Sequence, residues 1–200
     1  MRRGVGTRKG TLVYILLLYL CPVSRYLKVN KIVNSSLDPL SLSTIQNAVN
    51  INVTGTLDLI RLTVPHIAQL AESTDPENEC ERGVIIMVSS AAAYDGQPGQ
   101  VVYSATKGAI RSLTLPLARD LGRYGIRAVS IAPNMFSTAM TAKGNMPEKA
   151  RQAIERHFEW PQRAGRPEEF AALVLEICSN RMLNGCCLRI DGAMRLPGKI

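Results

Sequence analysis

The runs "VIIMVSS" at 84–90 and "IRAVSIAP" at 126–133 constrain this chain more than any other feature. A strand with one wet face alternates apolar and polar residues. A continuous apolar, β-branched run belongs to a strand covered on both faces, as in a parallel sheet flanked by helices. The intervening segments have helical patterns. Residues 40–70 read as one long helix, with Pro39 near its start and Pro65 as a kink or interruption. The polar loop "STDPENECERG" leads into the first run, and a helix from about 101 to 121 follows it. After the second run come the loop "NMFSTAMTAKGNMP", a short helix "EKARQAIERHF", and a helix over 166–180 opened by Pro167 and acids. A last strand is expected within 184–192, between glycine turns. Strands alternating with helices predict an α/β fold with a parallel sheet, in which ligands bind beyond the carboxyl ends of the strands.

Two hundred residues suit one domain with a single core. The formal charge of +8 is a property of one end. Arg2, Arg3, Arg8, Lys9, Arg25, Lys28 and Lys31 precede the first acid, Asp38, which leaves 17 basic residues against 16 acids, or +1, for the rest. That balance argues against direct nucleic-acid binding, which needs basic residues clustered on the folded domain. Residues 1–25 therefore read as a leader or an aberrant N-terminal segment, secretory or mitochondrial in outline; an ordinary buried strand or helix of the domain is the alternative. Its apolar run "LVYILLLYLCPV" breaks at Pro22, short of the length that spans a bilayer, so no membrane span is expected. Cys21, Cys80, Cys178, Cys186 and Cys187 are odd in number and contain no C-x-x-C pair. They suggest neither a disulfide framework nor a zinc site, and a reducing compartment. No metal-ligand cluster is expected.

The stretch "VVYSATKGAIRSL" places Tyr103 four residues before Lys107, on one face of a helix. An ammonium beside a phenol favours the phenolate and lowers the tyrosine pKa toward neutrality, where it serves as a general acid/base. Ser90 stands at the carboxyl end of the first buried run, where its hydroxyl could hold a substrate oxygen. Taken alone, Tyr and Lys at this spacing are common on helices. The strand-end serine 13 residues upstream and the strand ending "IAP" downstream give the pair its meaning. His66 and His157 are expected to have surface or packing roles, and Trp160, in "FEWPQRAG", to pack the substrate-loop helix against the body.

With these motifs the chain resembles the short-chain dehydrogenase/reductase family. Ser90, Tyr103 and Lys107 match its catalytic serine and Y-x-x-x-K pair, and Asn52 and Gly55 in "NINVTGT" match its N-x-x-G element. The resemblance implies that Tyr103 exchanges a proton with the substrate oxygen, Ser90 steadies that oxygen, and Asn52 anchors a relay water. It implies further that Lys107 holds the nicotinamide ribose and that hydride passes to or from the cofactor. The segment 84–127, "IAPNMFSTAM" and "LNGCCLRIDGAMRL" look most like the type-2 3-hydroxyacyl-CoA dehydrogenase branch, notably in "LTLPLARDL" and "DGAMR". That branch is mitochondrial, tetrameric and NAD-dependent, and acts on 3-hydroxyacyl-CoA thioesters and some hydroxysteroids; a member also serves as a non-catalytic component of mitochondrial tRNA processing. By the same resemblance Pro133, Phe136 and Thr138 join Tyr103 and Lys107 in binding NAD, and Tyr94 and Gln97 join Ser90 in lining the substrate pocket. Asn134 stands where the family usually has glycine.

The resemblance begins near Tyr26 and runs to the C-terminus, so residues 26–200 read as the C-terminal two-thirds of a Rossmann-like, doubly wound parallel sheet, N-terminally truncated. A full-length relative opens with a strand, a glycine-rich turn and a helix that grip the dinucleotide. "GVGTRKG", 4–10, has only three residues before it to feed such a turn. The expectation is an intact catalytic set with a reduced cofactor grip, and "LVYILLLYL" as a possible substitute strand. Two functions follow: an NAD-dependent dehydrogenase, or a catalytically impaired remnant serving as an interaction subunit. A sugar-nucleotide epimerase or dehydratase, which shares Y-x-x-x-K, ranks third.

Overall fold

The computed structural model describes residues 14–18, 31–69, 81–138 and 148–195. In chain order they form β1 (Tyr14–Leu18), α1 (Leu42–Val49), a π-helical turn (Asn50–Thr54) and α2 (Gly55–Ala68). Next come β2 (Gly83–Val88), a 3-10 turn (Ala91–Ala93), α3 (Val101–Gly122) and β3 (Ile126–Pro133). α4 (Glu148–Glu155), α5 (Pro167–Ser179) and β4 (Cys187–Ile190) complete the set. The four strands lie in the order β1-β2-β3-β4, all parallel, with Leu16 beside Ile85, Ile85 beside Ala128 and Ile131 beside Leu188.

The two continuous apolar runs are the central strands, buried on both faces. Alternate residues separate two cores. Ile85, Met87, Ile126 and Ala128 pack with Ile60 and Ile67 of α2 and Ile110, Ala118 and Leu121 of α3. Val84, Ile86, Val129 and Ile131 pack on the opposite face with Ile177 of α5 and its neighbours. Full burial of each large aliphatic side chain contributes about 1.5–3 kcal/mol, so these two layers hold the sheet rigid under the site at its carboxyl edge.

The expected helix over 40–70 is observed as α1 and α2 joined through the π turn, and Pro65 does not interrupt it. β3 spans the expected residues, and β4 is shorter than the expected 184–192. Residues 14–18, within the segment set apart as a leader, pair in parallel with β2, as a substitute strand would. The loop expected over 134–147 lies outside the described residues from 139 onward, as do Cys21 and Cys80.

Trp160 corrects an expectation. It is 82% exposed and packs nothing against the body. Phe158, two residues earlier, is buried in its stead, because Gly192 leaves room for its ring: a Cβ there would lie 2.7 Å from Phe158 Cδ1.

One charged side chain is buried in β3. Arg127 Nε donates to Glu81 Oε1 at 2.7 Å, and both side chains are 8% exposed. Its Nη1 donates to the carbonyls of Leu183 at 2.8 Å and Asn180 at 3.3 Å. The guanidinium thus serves carbonyls at the cap of α5 and in the turn after it, where a cation also meets the negative pole of the helix dipole.

Candidate active site

The site begins where β2 ends. Ser90 caps the 3-10 turn, its Oγ accepting from the Ala92 amide at 3.1 Å. The preceding residue, Ser89, is 2% exposed and donates its hydroxyl to the Lys107 carbonyl at 2.8 Å. Lys107 reaches back: its buried ammonium donates to the Val88 carbonyl at 2.9 Å. α3 is therefore fastened to the tip of β2 at the turn that carries Tyr103. The i, i+4 spacing brings Lys107 Nζ to 5.9 Å from the centre of the Tyr103 ring.

Asn52 reaches the same helix from the π turn. It is 5% exposed, and its Nδ2 donates to Thr106 Oγ1 at 3.0 Å. Thr106 in turn donates to the Tyr103 carbonyl at 2.9 Å. The Asn52 main-chain carbonyl takes the Thr56 hydroxyl at 2.8 Å. Single π turns inside helices are rare and recur at functional sites. This one coincides with the buried Asn52 that bonds across to α3. The Asn52 Oδ1 atom is buried without a hydrogen-bond partner among the described residues. A buried, unpaired amide oxygen costs about 1–3 kcal/mol, so it marks a place suited to a water or ligand donor.

The structure thus ties Asn52, Tyr103 and Lys107 together through Thr106 and Val88, with Ser90 two residues beyond Val88. Tyr94 turns toward β4. Its ring lies between the guanidiniums of Arg111, 4.3 Å from its centre, and Arg189, 4.7 Å away. Burial raises the Tyr94 pKa above its ordinary value, and a hydrogen bond with Cys187 adds to the rise. Gln97 donates its amide to Gln100 Oε1 at 3.0 Å in the same loop. The loop runs close over α3, since a Cβ at Gly96 would lie 2.5 Å from Ser104 Oγ.

Pro133 closes β3, and Asn134 accepts the Met135 amide on Oδ1 at 2.9 Å, steadying the start of the loop. Phe136 pairs with Gly165 and meets Phe170 edge-to-face at 5.8 Å. It lines a cavity of about 230 Å³ between the ends of β3 and β4, with Met135, Phe158, Pro161 and Ile190. Thr138 is exposed at the end of the described loop. Among the described residues no group of His, Cys, Asp and Glu is placed to hold a metal, and no helix is long and apolar enough to cross a membrane. Sequence reasoning missed Ser89, Thr106 and Arg189. The first two left a trace, as polar residues beside Ser90 and Lys107 in otherwise apolar or helical surroundings.

The family model described as short chain dehydrogenase matches residues 31–149. Among curated relatives, the 3-hydroxyacyl-CoA dehydrogenase type-2 of Drosophila melanogaster is 46% identical over 155 residues, covering 78% of this chain and 58% of that protein. Its Mus musculus counterpart is 43% identical with the same coverage. The chain thus spans somewhat over half the length of these relatives. Among solved structures, 3-hydroxyacyl-CoA dehydrogenase type-2 from Mycobacterium avium superposes with a TM-score of 0.77 at 32% identity, over 86% of this chain and 63% of that one. A 3-ketoacyl-(acyl-carrier-protein) reductase from Brucella melitensis complexed with NADH gives 0.62 at 27% identity, over 84% and 63%. The parallel sheet, the Tyr103–Lys107 pair fastened to the tip of β2, and a match over more than half of its residues make this chain a member of the short-chain dehydrogenase family.

Proposed function

We propose that this chain carries the catalytic part of an NAD-dependent oxidoreductase that oxidises the 3-hydroxyl of acyl-CoA thioesters or hydroxysteroids. One observation carries the reading: Lys107 and Tyr103 share a helix face fastened to the tip of β2, with buried Asn52 joined to that helix through Thr106. In the proposed reaction the Tyr103 phenolic oxygen takes the proton of the substrate hydroxyl, and Ser90 donates a hydrogen bond to the same oxygen. The Lys107 ammonium, beside the Tyr103 ring, favours the phenolate. Asn52 Oδ1, buried and unpaired among the described residues, accepts a hydrogen bond from a water that carries the proton onward.

A nicotinamide cofactor fits this donor set. Pro133, Phe136 and Thr138 would hold its nicotinamide end, and Tyr103 and Lys107 its ribose. When bound, it supplies the hydride acceptor that these side chains lack. NAD in preference to NADP, and the thioester in preference to the steroid, rest on likeness to the relatives named 3-hydroxyacyl-CoA dehydrogenase type-2. A mitochondrial location rests on the same likeness. A homo-oligomer, tetrameric by that likeness, draws support from Leu57, Leu59 and Leu62, which α2 leaves 39–51% exposed.

Calorimetric titration of NAD and NADH into the folded chain, followed by turnover of 3-hydroxybutyryl-CoA, tests the proposal. Cofactor binding, with turnover lost in Tyr103→Phe, supports it. A folded chain that neither binds the cofactor nor turns over the thioester overturns it and leaves the remnant acting as an interaction subunit.

A further inference from the structure

The loop that leaves Ser90 is gripped from the far edge of the sheet. Its two residues Tyr94 and Asp95 both meet Arg189, a residue 94 positions after Asp95 on β4. Arg189 Nη2 donates to Asp95 Oδ2, while Nε donates to Asp191 Oδ2 at 2.6 Å. The same guanidinium lies over the Tyr94 ring. Arg195 backs the pair, donating to Asp191 at 3.2 Å and standing 3.7 Å from Asp95. Many of the loop's other hydrogen bonds stay within it. Ala93, Tyr94 and Asp95 donate to the carbonyls of Ser90 and Ala91, and Gln97 and Gln100 bond each other.

Local bonds of this kind set the shape of a turn but leave it able to pivot as a body about its ends. Arg189, with Arg111 of α3 also over the Tyr94 ring, restrains that pivot: its fork holds two carboxylates at once while its guanidinium lies over the ring. A lysine, a compact charge without the planar fork, does not hold both carboxylates and the ring in one fixed geometry. The side chains of Arg189 and Asp95 are 20% and 25% exposed, so the pair is only partly screened by salt.

We propose that Arg189 is a positioning residue: through Asp95 and Tyr94 it fixes the loop that presents Ser90 and Gln97. The inference rests on the dehydrogenase reading only in taking those two residues to face substrate.

Amide hydrogen exchange on the full chain tests it. Loss of a charge-assisted hydrogen bond is worth at least a factor of about ten in an opening equilibrium. Arg189→Ala is therefore expected to speed exchange at residues 91–97 roughly ten-fold or more, with the amides of β2 and β3 changed less than about two-fold. Arg189→Lys, which keeps the charge opposite Asp95, restores part of the protection. Asp95→Asn leaves the Arg189–Asp191 bond in place and loosens the same loop, which keeps the test available if Arg189→Ala fails to fold. Unchanged exchange at 91–97, or an increase shared equally by β2 and β3, overturns the proposal. A wild-type chain without cofactor binding or turnover would sink the dehydrogenase reading and leave the exchange result standing.

Discussion

Ser89 donates its hydroxyl to the main-chain carbonyl of Lys107 at 2.8 Å, and Lys107 returns its ammonium to Val88 at 2.9 Å. Val88, the last residue of β2, and Ser89, just beyond it, thus hold a single helical residue by its side chain and by its backbone. Ser89→Ala removes half of this fastening. We expect it to lower the unfolding free energy by about 1 kcal/mol, the net value of a buried hydrogen bond, as read by urea denaturation. An unchanged midpoint would show that the bond contributes nothing.

Asn52→Ala separates stability from function. The variant loses the bond to Thr106 but also removes an amide oxygen buried without a partner among the described residues. These effects oppose each other, so stability should change by less than about 1 kcal/mol. Turnover, if Asn52 orders the relay water, should fall about 10²-fold or more. A large loss of stability with unaltered turnover would make Asn52 a packing residue.

Arg127→Met breaks a buried pair and strips the end of α5 of its donor. Removal of one partner of such a pair costs about 3–5 kcal/mol. Glu81 retains Arg181 at 3.2 Å, so the loss should fall toward the lower end of that range. Equilibrium denaturation in guanidinium chloride measures it, and a loss under about 1 kcal/mol would contradict the assignment.

Acid should weaken the start of α5. The hydrogen bond from Arg163, with a second from the Arg166 amide, holds the Glu169 carboxyl at about 2, below its ordinary 4.5. The folded state therefore binds this proton more weakly than the unfolded chain does. The resulting stabilisation is fully present above about pH 4.5 and is lost as pH falls through about 2. Glu169→Gln should flatten the stability profile across that window while leaving its course above pH 6 unchanged. An identical slope in both proteins would remove Glu169 from the acid response.

β2, β3 and α3 were legible in the sequence because their patterns are local: unbroken β-branched runs, and a helix with Tyr103 and Lys107 on one face. The helix through 40–70 was legible too, but not the absence of an interruption at Pro65, where the packing of Ile60 and Ile67 offsets the lost hydrogen bond. Nor was the bond from the π turn to α3, which joins Asn52 to Thr106 across 54 residues. Trp160 misled because its size argues for burial, whereas the space at Gly192 is filled by Phe158. Arg127 carried a readable signal. A charge inside "IRAVSIAP" demands a buried partner, but only the folded chain identifies it as Glu81.

The all-parallel order of the sheet also sets the sequence in which it can assemble. Each neighbouring pair requires the chain to leave one end of the sheet and return to the other, and the entropy of closing such a circuit grows with its length. The longest circuit, residues 19–82, joins β1 to β2. β2 and β3, joined by the shorter circuit through α3 and buried on both faces, are the natural nucleus. The circuits to the two edge strands, residues 19–82 for β1 and 134–186 for β4, differ by only about 0.2 kcal/mol in closing cost, so both edges join the central pair at nearly equal entropic expense.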